Sequence, residues 1–211
     1  MKYIHGHVLS RMASTALIAL TVALLWQCDH PRPAGLKAHY RLLFAEGKLS
    51  EAQALVRRHP MRFRRIFQEF LQEGLRFQAQ KALPEADRHM AMAREIAHTF
   101  AAAWGDSFLV REYRFCEALK DTALQKKLTA DSLFLVGYRF YREGKIEEAR
   151  KHYRQSLQLC REIGDRKREV DNLIQMQYTL YREDRNREAL AMGEEILTLS
   201  QQLGYRQQEA W

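Results

Sequence analysis

The 211-residue chain is 46% hydrophobic and 28% charged, a globular rather than a disordered balance, and long enough for one domain or a short repeat array behind a leader. Four prolines and ten glycines are too few for the tight turns of an all-β protein, and the chain beyond Pro33 is rich in strong helix formers, so the fold class is all-α. The net charge of +8 admits an acidic protein, an anionic membrane or nucleic acid as partner and does not choose among them.

At the N-terminus Lys2, His5, His7 and Arg11 precede an uncharged apolar run, Met12–Trp26. A positive start followed by a short apolar core is the pattern of a secretory signal, and the run is short for a membrane-spanning helix, which needs about 20 residues. Residues 1–28 therefore read as a signal peptide or signal anchor, and the protein as exported. The run ends in Leu25-Trp26-Gln27-Cys28, and a cysteine there resembles the lipid-attachment residue of bacterial lipoproteins. That family places a small residue before the cysteine, where this chain has Gln27. Lipid attachment at Cys28, retention as an uncleaved anchor and soluble release stay open, giving a membrane-anchored or a periplasmic or extracellular protein. Pro31, Pro33 and Gly35 make 29–35 a linker.

Residues 36–130 read as degenerate helical units. The segment FAEGKLSEA, Phe44–Ala52, is a helix–Gly–helix core, with Ser50 and Gln53 spaced as a capping box and Pro60 stopping the second helix. The run RRHPMRFRR, Arg57–Arg65, holds five arginines. It reads as a solvated turn between units; as a functional element it would meet lipid headgroups, since export disfavours nucleic acid. Gly74, Phe77, Leu83, Ala86 and Met90 outline another unit, with Pro84 in a first helical turn and Trp104-Gly105-Asp106 closing it. Ser107–Ala130 is an irregular helical pair.

Residues 131–205 carry the clearest signal. YREGKIEEA at Tyr141–Ala149 returns as YREDRNREA at Tyr181–Ala189, an offset of 40 residues. The register extends to Tyr138 with Tyr178, Leu157 with Leu197, Gly164 with Gly204 and Arg166 with Arg206. An offset held through loops as well as helices marks a repeated supersecondary unit. In the first copy Leu133, Val136, Gly137 and Phe140 form one helical stripe and Gly144-Lys145 breaks the helix. Ile146, Ala149, Tyr153, Leu157 and Cys160 form the second stripe, which Gly164 ends, with Asp165 placed to cap the next helix. Residues 206–211 read as the start of a further, truncated repeat.

The spacing Leu133, Val136-Gly137, Phe140, Gly144, Ala149, Tyr153 and Leu157 resembles the tetratricopeptide repeat. The second copy matches at Leu173, Met176, Leu180, Ala189 and Leu197 and departs at Gln177 and Gly193. The 40-residue period resembles the long variant in kinesin light chains and in bacterial proteins whose arrays precede caspase-like (CHAT) domains. The resemblance implies helical hairpins stacked into a right-handed superhelix whose first helices line a concave peptide-binding groove. Carried onto this chain, the groove residues are Phe134, Tyr138, Tyr141, Arg142, Ile174, Tyr178, Tyr181 and Arg182. Tyrosine offers rigid amphipathic area and arginine grips carboxylates, which suits an extended, acidic polypeptide partner.

Nothing in the sequence supports catalysis. There is no metal-binding His-Glu-x-x-His, phosphate loop or nucleophile elbow, and Cys28, Cys116 and Cys160 form no Cys-x-x-Cys pair. Cys116 and Cys160 read as small buried hydrophobes, a disulfide between them being open in an oxidising compartment. The expected function is a non-catalytic interaction scaffold without cofactor, metal or nucleic acid. The rivals are the N-terminal sensor region of a larger signalling or caspase-like protease protein, and a lipid-surface protein.

Overall fold

The computed structural model describes residues 33–204, with side chains from Gly35 onward. Residues 1–32 and 205–211, which include the expected signal segment, Cys28 and the further repeat, lie outside the described residues. The chain divides into two compact units, one up to Ala52 and one from Gln53. Among the described residues the fold is all-α and holds no strand. The helices are α1 (Pro33–Ala45), α2 (Leu49–Arg58), α3 (Pro60–Ala79), α4 (Leu83–Trp104), α5 (Phe108–Ala118), α6 (Asp121–Arg142), α7 (Ile146–Ile163), α8 (Arg166–Tyr181) and α9 (Asn186–Leu203).

One turn recurs four times. Gly47, Lys81, Gly144 and Asp184 adopt the left-handed conformation, with φ of 71°, 60°, 77° and 58°. In each case the next residue donates its N–H to a carbonyl five residues back: Lys48 to Leu43, Ala82 to Phe77, Lys145 to Phe140 and Arg185 to Leu180. This is the Schellman closure of a helix C-terminus. It is followed by a helix whose first turn ends at Ala52, Ala86, Ala149 or Ala189, all buried. A side chain larger than a methyl at that point would separate the paired helices. Gly164 (φ 73°) closes α7 in the same way, and Asp165 caps α8 by accepting the Arg168 N–H at 3.0 Å.

Three details depart from the sequence reading. The helix α1 starts at Pro33, inside the expected linker, because proline is well suited to a first helical turn where its missing N–H has no partner to lose. Ser50 and Gln53 do not form a capping box: α2 starts at Leu49, ahead of Ser50, and the Gln53 amide donates to Glu95 at 2.8 Å. Pro60 both follows the end of α2 and begins α3. The irregular stretch 107–130 comprises α5 and the first part of α6, which runs unbroken across 130–131 because no Gly or Pro interrupts it before Gly137.

In the second unit the helices pack in two series, α3 on α4 on α5 and α6 on α7 on α8 on α9. Further contacts join α3 to α5 and α6, and α6 to α8. The α3 core stripe is Phe63, Ile66, Phe67, Phe70, Leu71 and Leu75, facing Met92, Ala93, Ile96 and Phe100 of α4, all nearly inaccessible to solvent. Each such large side chain contributes about 1.5–3 kcal/mol by burial. The exposed face of α3 carries the arginines, so the amphipathic split is sharp.

Candidate functional site: the α6–α8 face

The two helices that begin the repeated hairpins, α6 and α8, lie in contact with each other. Tyr138 and Tyr178 occupy matching positions on them and are almost equally exposed, at 42% and 43%. Tyr181 is 45% exposed, while Tyr141 is half-buried and Arg142 and Arg182 are exposed. The Arg182 guanidinium lies over the Tyr141 ring, 5.4 Å from its centroid, so the two hairpins meet through a cation–π contact. Neither Arg142 nor Arg182 forms an ion pair among the described residues. The carboxylates near them are engaged elsewhere: Glu143 with Lys145 at 2.8 Å, and Glu183 with Arg150 and Arg185.

The other two expected groove residues are placed differently. Ile174 is half-buried. Phe134, also half-buried, is held between the Tyr153 ring at 5.7 Å and the Arg168 guanidinium at 4.5 Å. It acts as the floor of the face rather than as a free contact. The open part is therefore Tyr138, Tyr178, Tyr181, Arg142 and Arg182, with Tyr141 at its edge.

Toward the N-terminal ends of α6 and α8, away from the tyrosines and arginines of the last turns, lies a buried charge cluster that the sequence reading missed. Lys127 reaches Asp131 at 2.9 Å and Asp165 at 2.8 Å. Arg168 reaches Asp131 at 2.8 Å and Asp171 at 3.2 Å, and Lys167 reaches Asp171 at 3.0 Å. Gln68 donates to Glu112 at 2.7 Å, which stands 3.9 Å from Lys167. Burial alone would raise the Asp131 carboxyl, but Lys127 and Arg168 outweigh it and hold the group below its ordinary value. Burial would lower Lys127, and Asp131 with Asp165 reverse that. For Glu112 burial wins over Lys167 and its pKa is raised. The cluster ties α3, α5, α6 and α8 together and fixes how α6 and α8 are spaced. A sequence signal for it existed: Lys127 and Asp131 recur 40 residues later as Lys167 and Asp171, a Lys–Asp pair four apart on each copy.

Cys116 and Cys160 are buried and not bonded to each other, and burial pushes the Cys160 thiol up to about 12, far from a thiolate at neutral pH. Among the described residues no cluster of His, Cys, Asp or Glu could hold a metal ion, and no helix is long and apolar enough to cross a membrane. No protein-family model matches the chain, and neither does any curated protein or solved structure.

Proposed function

We propose that this protein is a non-catalytic scaffold of stacked, tetratricopeptide-like hairpins that holds an extended acidic polypeptide across α6 and α8. The observation that carries this reading is the repetition, 40 residues apart, of an exposed tyrosine and an exposed arginine that has no carboxylate partner among the described residues. An extended segment crossing both helices would meet aromatic area, then positive charge, then the same pair again. Tyrosine and arginine are enriched among the residues that dominate binding energy at protein interfaces, tyrosine for its large area and few rotamers and arginine for its planar fork of donors. In this proposal residues 1–28 export the protein and tether it or are removed.

A random-peptide display selection on the full chain tests it. Selected peptides should be enriched in Asp and Glu alternating with apolar residues. Arg142→Ala/Arg182→Ala should weaken them roughly thirtyfold or more, the low end for truncating one desolvated charge pair. Peptides that lack acidic residues, or that bind the folded double variant as tightly as wild type, reject the proposal.

A further inference from the structure

The α2–α3 corner is a second charged surface of a different kind. Between Gln53 and Gln68 the sequence holds five arginines and one histidine and no acidic residue. Arg64 turns inward, paired with Asp106 and stacked over Phe100 at 5.2 Å. The other four stay out. Arg57, Arg58 and Arg62 are exposed and form no side-chain hydrogen bond or ion pair among the described residues. Arg65, with its side chain 86% exposed, has only a 3.3 Å contact to Glu69. In their midst Met61, in the first turn of α3, is 69% exposed. The local fold explains the arrangement. Pro60 sets the first turn of α3, and the core stripe beginning at Phe63 and Ile66 forces residues 61, 62 and 65 onto the opposite face.

We propose that this corner docks on an anionic lipid surface, with Arg57, Arg58, Arg62 and Arg65 against the headgroups and Met61 inserted below them. Charge complementarity is the first argument: three unpaired guanidiniums, with Arg65 only loosely held by Glu69, meet a layer of phosphodiesters, each cation strengthening binding roughly fivefold. The exposed methionine decides between lipid and other polyanions. A bilayer interface accepts an apolar side chain beneath its charges, whereas a nucleic-acid backbone or a glycosaminoglycan offers no such layer. Arginine also suits the site because its stem lies along the apolar boundary while its head stays with the phosphates.

The test is flotation of the full chain with vesicles of phosphatidylcholine alone and with added phosphatidylglycerol. Any binding through the N-terminal apolar run is common to both vesicles, so the readout is the anionic preference. That preference should fall with rising salt and drop on the order of a hundredfold in Arg57→Ser/Arg58→Ser/Arg62→Ser/Arg65→Ser. Met61→Ser alone should reduce it measurably. As a matched control, Arg88→Ser/Arg139→Ser/Arg154→Ser/Arg187→Ser removes the same charge elsewhere and should keep most of the preference. The eight arginines replaced in these variants are all exposed, and circular dichroism checks that each variant is folded. Equal loss in the control, or no loss in the corner variant, overturns the proposal. So does binding to duplex DNA or heparin as tight as to anionic vesicles and indifferent to Met61→Ser, which would make the corner a general polyanion site.

Discussion

The hairpins α6–α7 and α8–α9 share their turns residue for residue, yet they fill the space between their helices in opposite ways. In the first, Gly137 on α6 lies against Tyr153 on α7, so closely that a Cβ at 137 would stand 2.8 Å from the ring. In the second, Gln177 replaces that glycine and Gly193 replaces that tyrosine. A Cβ at 193 would now meet the Gln177 amide at 2.7 Å. The large and the small residue have exchanged helices, with the smaller glutamine standing in for the tyrosine. The hairpin α3–α4 has the first arrangement, with Gly74 against Met90. The repeat therefore specifies one close approach per hairpin and leaves open which helix supplies the bulk.

The two copies also differ in polarity. The Gln177 amide donates to the Ala189 carbonyl at 2.9 Å, so the second crossing carries a hydrogen bond where the first has an aromatic ring. The Tyr153 hydroxyl is buried and bonds to no protein group among the described residues.

Four perturbations would break or sharpen this comparison. The largest effect is expected where the copies agree: Ala149 and Ala189 are both fully buried at the hairpin contact. Replacing either by Glu buries an unpaired carboxylate and should cost several kcal/mol, about 4, against at most ~0.5 for Arg142→Ala. Thermal melts with similar small shifts for both kinds of variant would contradict the shared register.

Next in size is the charge cluster. Lys127→Met strands Asp165 and leaves Asp131 to Arg168 alone, both carboxylates being almost wholly buried, and should cost about 3–5 kcal/mol. Lys167→Met removes the matching lysine of the second copy, which is more exposed, and should cost about 1 kcal/mol. The cluster also sets an acid response. The folded-state value of Asp131 is depressed from 3.8. Its contribution is therefore in place above that unfolded value and is lost as the pH falls through the lower folded one. Asp131→Asn should be less stable at neutral pH and should lose less of its stability on acidification than wild type, as chemical melts across pH would show.

Smaller again is the crossing itself. Gly137→Ala drives a methyl into the Tyr153 ring and the Ala149 carbonyl, and should cost about 1–2 kcal/mol after the gain in helix propensity. Gly193→Ala meets the end of a flexible amide, risks one hydrogen bond and gains the same propensity, so its net effect should be near zero. The transposed pair Gly137→Gln/Tyr153→Gly should be more stable than the sum of its single changes predicts, and additivity would refute the exchange. Tyr153→Phe should also be mild, within ~1 kcal/mol, because the lost hydroxyl has no protein partner among the described residues.

How much of this was legible in the sequence follows from the range of each signal. The turns were, because Gly47, Gly144 and Gly164 carry the left-handed conformation in their identity. Lys81 and Asp184 perform the same turn with no such marker, and only the register points to them. The tyrosine–arginine face was legible through its 40-residue recurrence. Phe134 was misplaced in emphasis, since the partners that hold it, Tyr153 and Arg168, come from two other helices. The capping expectation at Ser50 failed because Gln53 found a stronger partner in Glu95, 42 residues away. The charge cluster depends on four helices meeting, and its two Lys–Asp pairs look like ordinary surface pairs until burial is known.

The central claim is that the face shared by α6 and α8 is where a polypeptide partner is held. Site-specific photo-crosslinking measures this most directly, with a photoreactive phenylalanine analogue placed in the full chain at position 138, 178 or 190. Tyr138 and Tyr178 are on the face, whereas Leu190 is 63% exposed on α9. The account predicts that 138 and 178 crosslink the same acidic peptide, that unlabelled peptide competes for both, and that 190 does not crosslink it. Crosslinks confined to 190, or unchanged at 138 and 178 when Arg142 and Arg182 are both alanine, would contradict it.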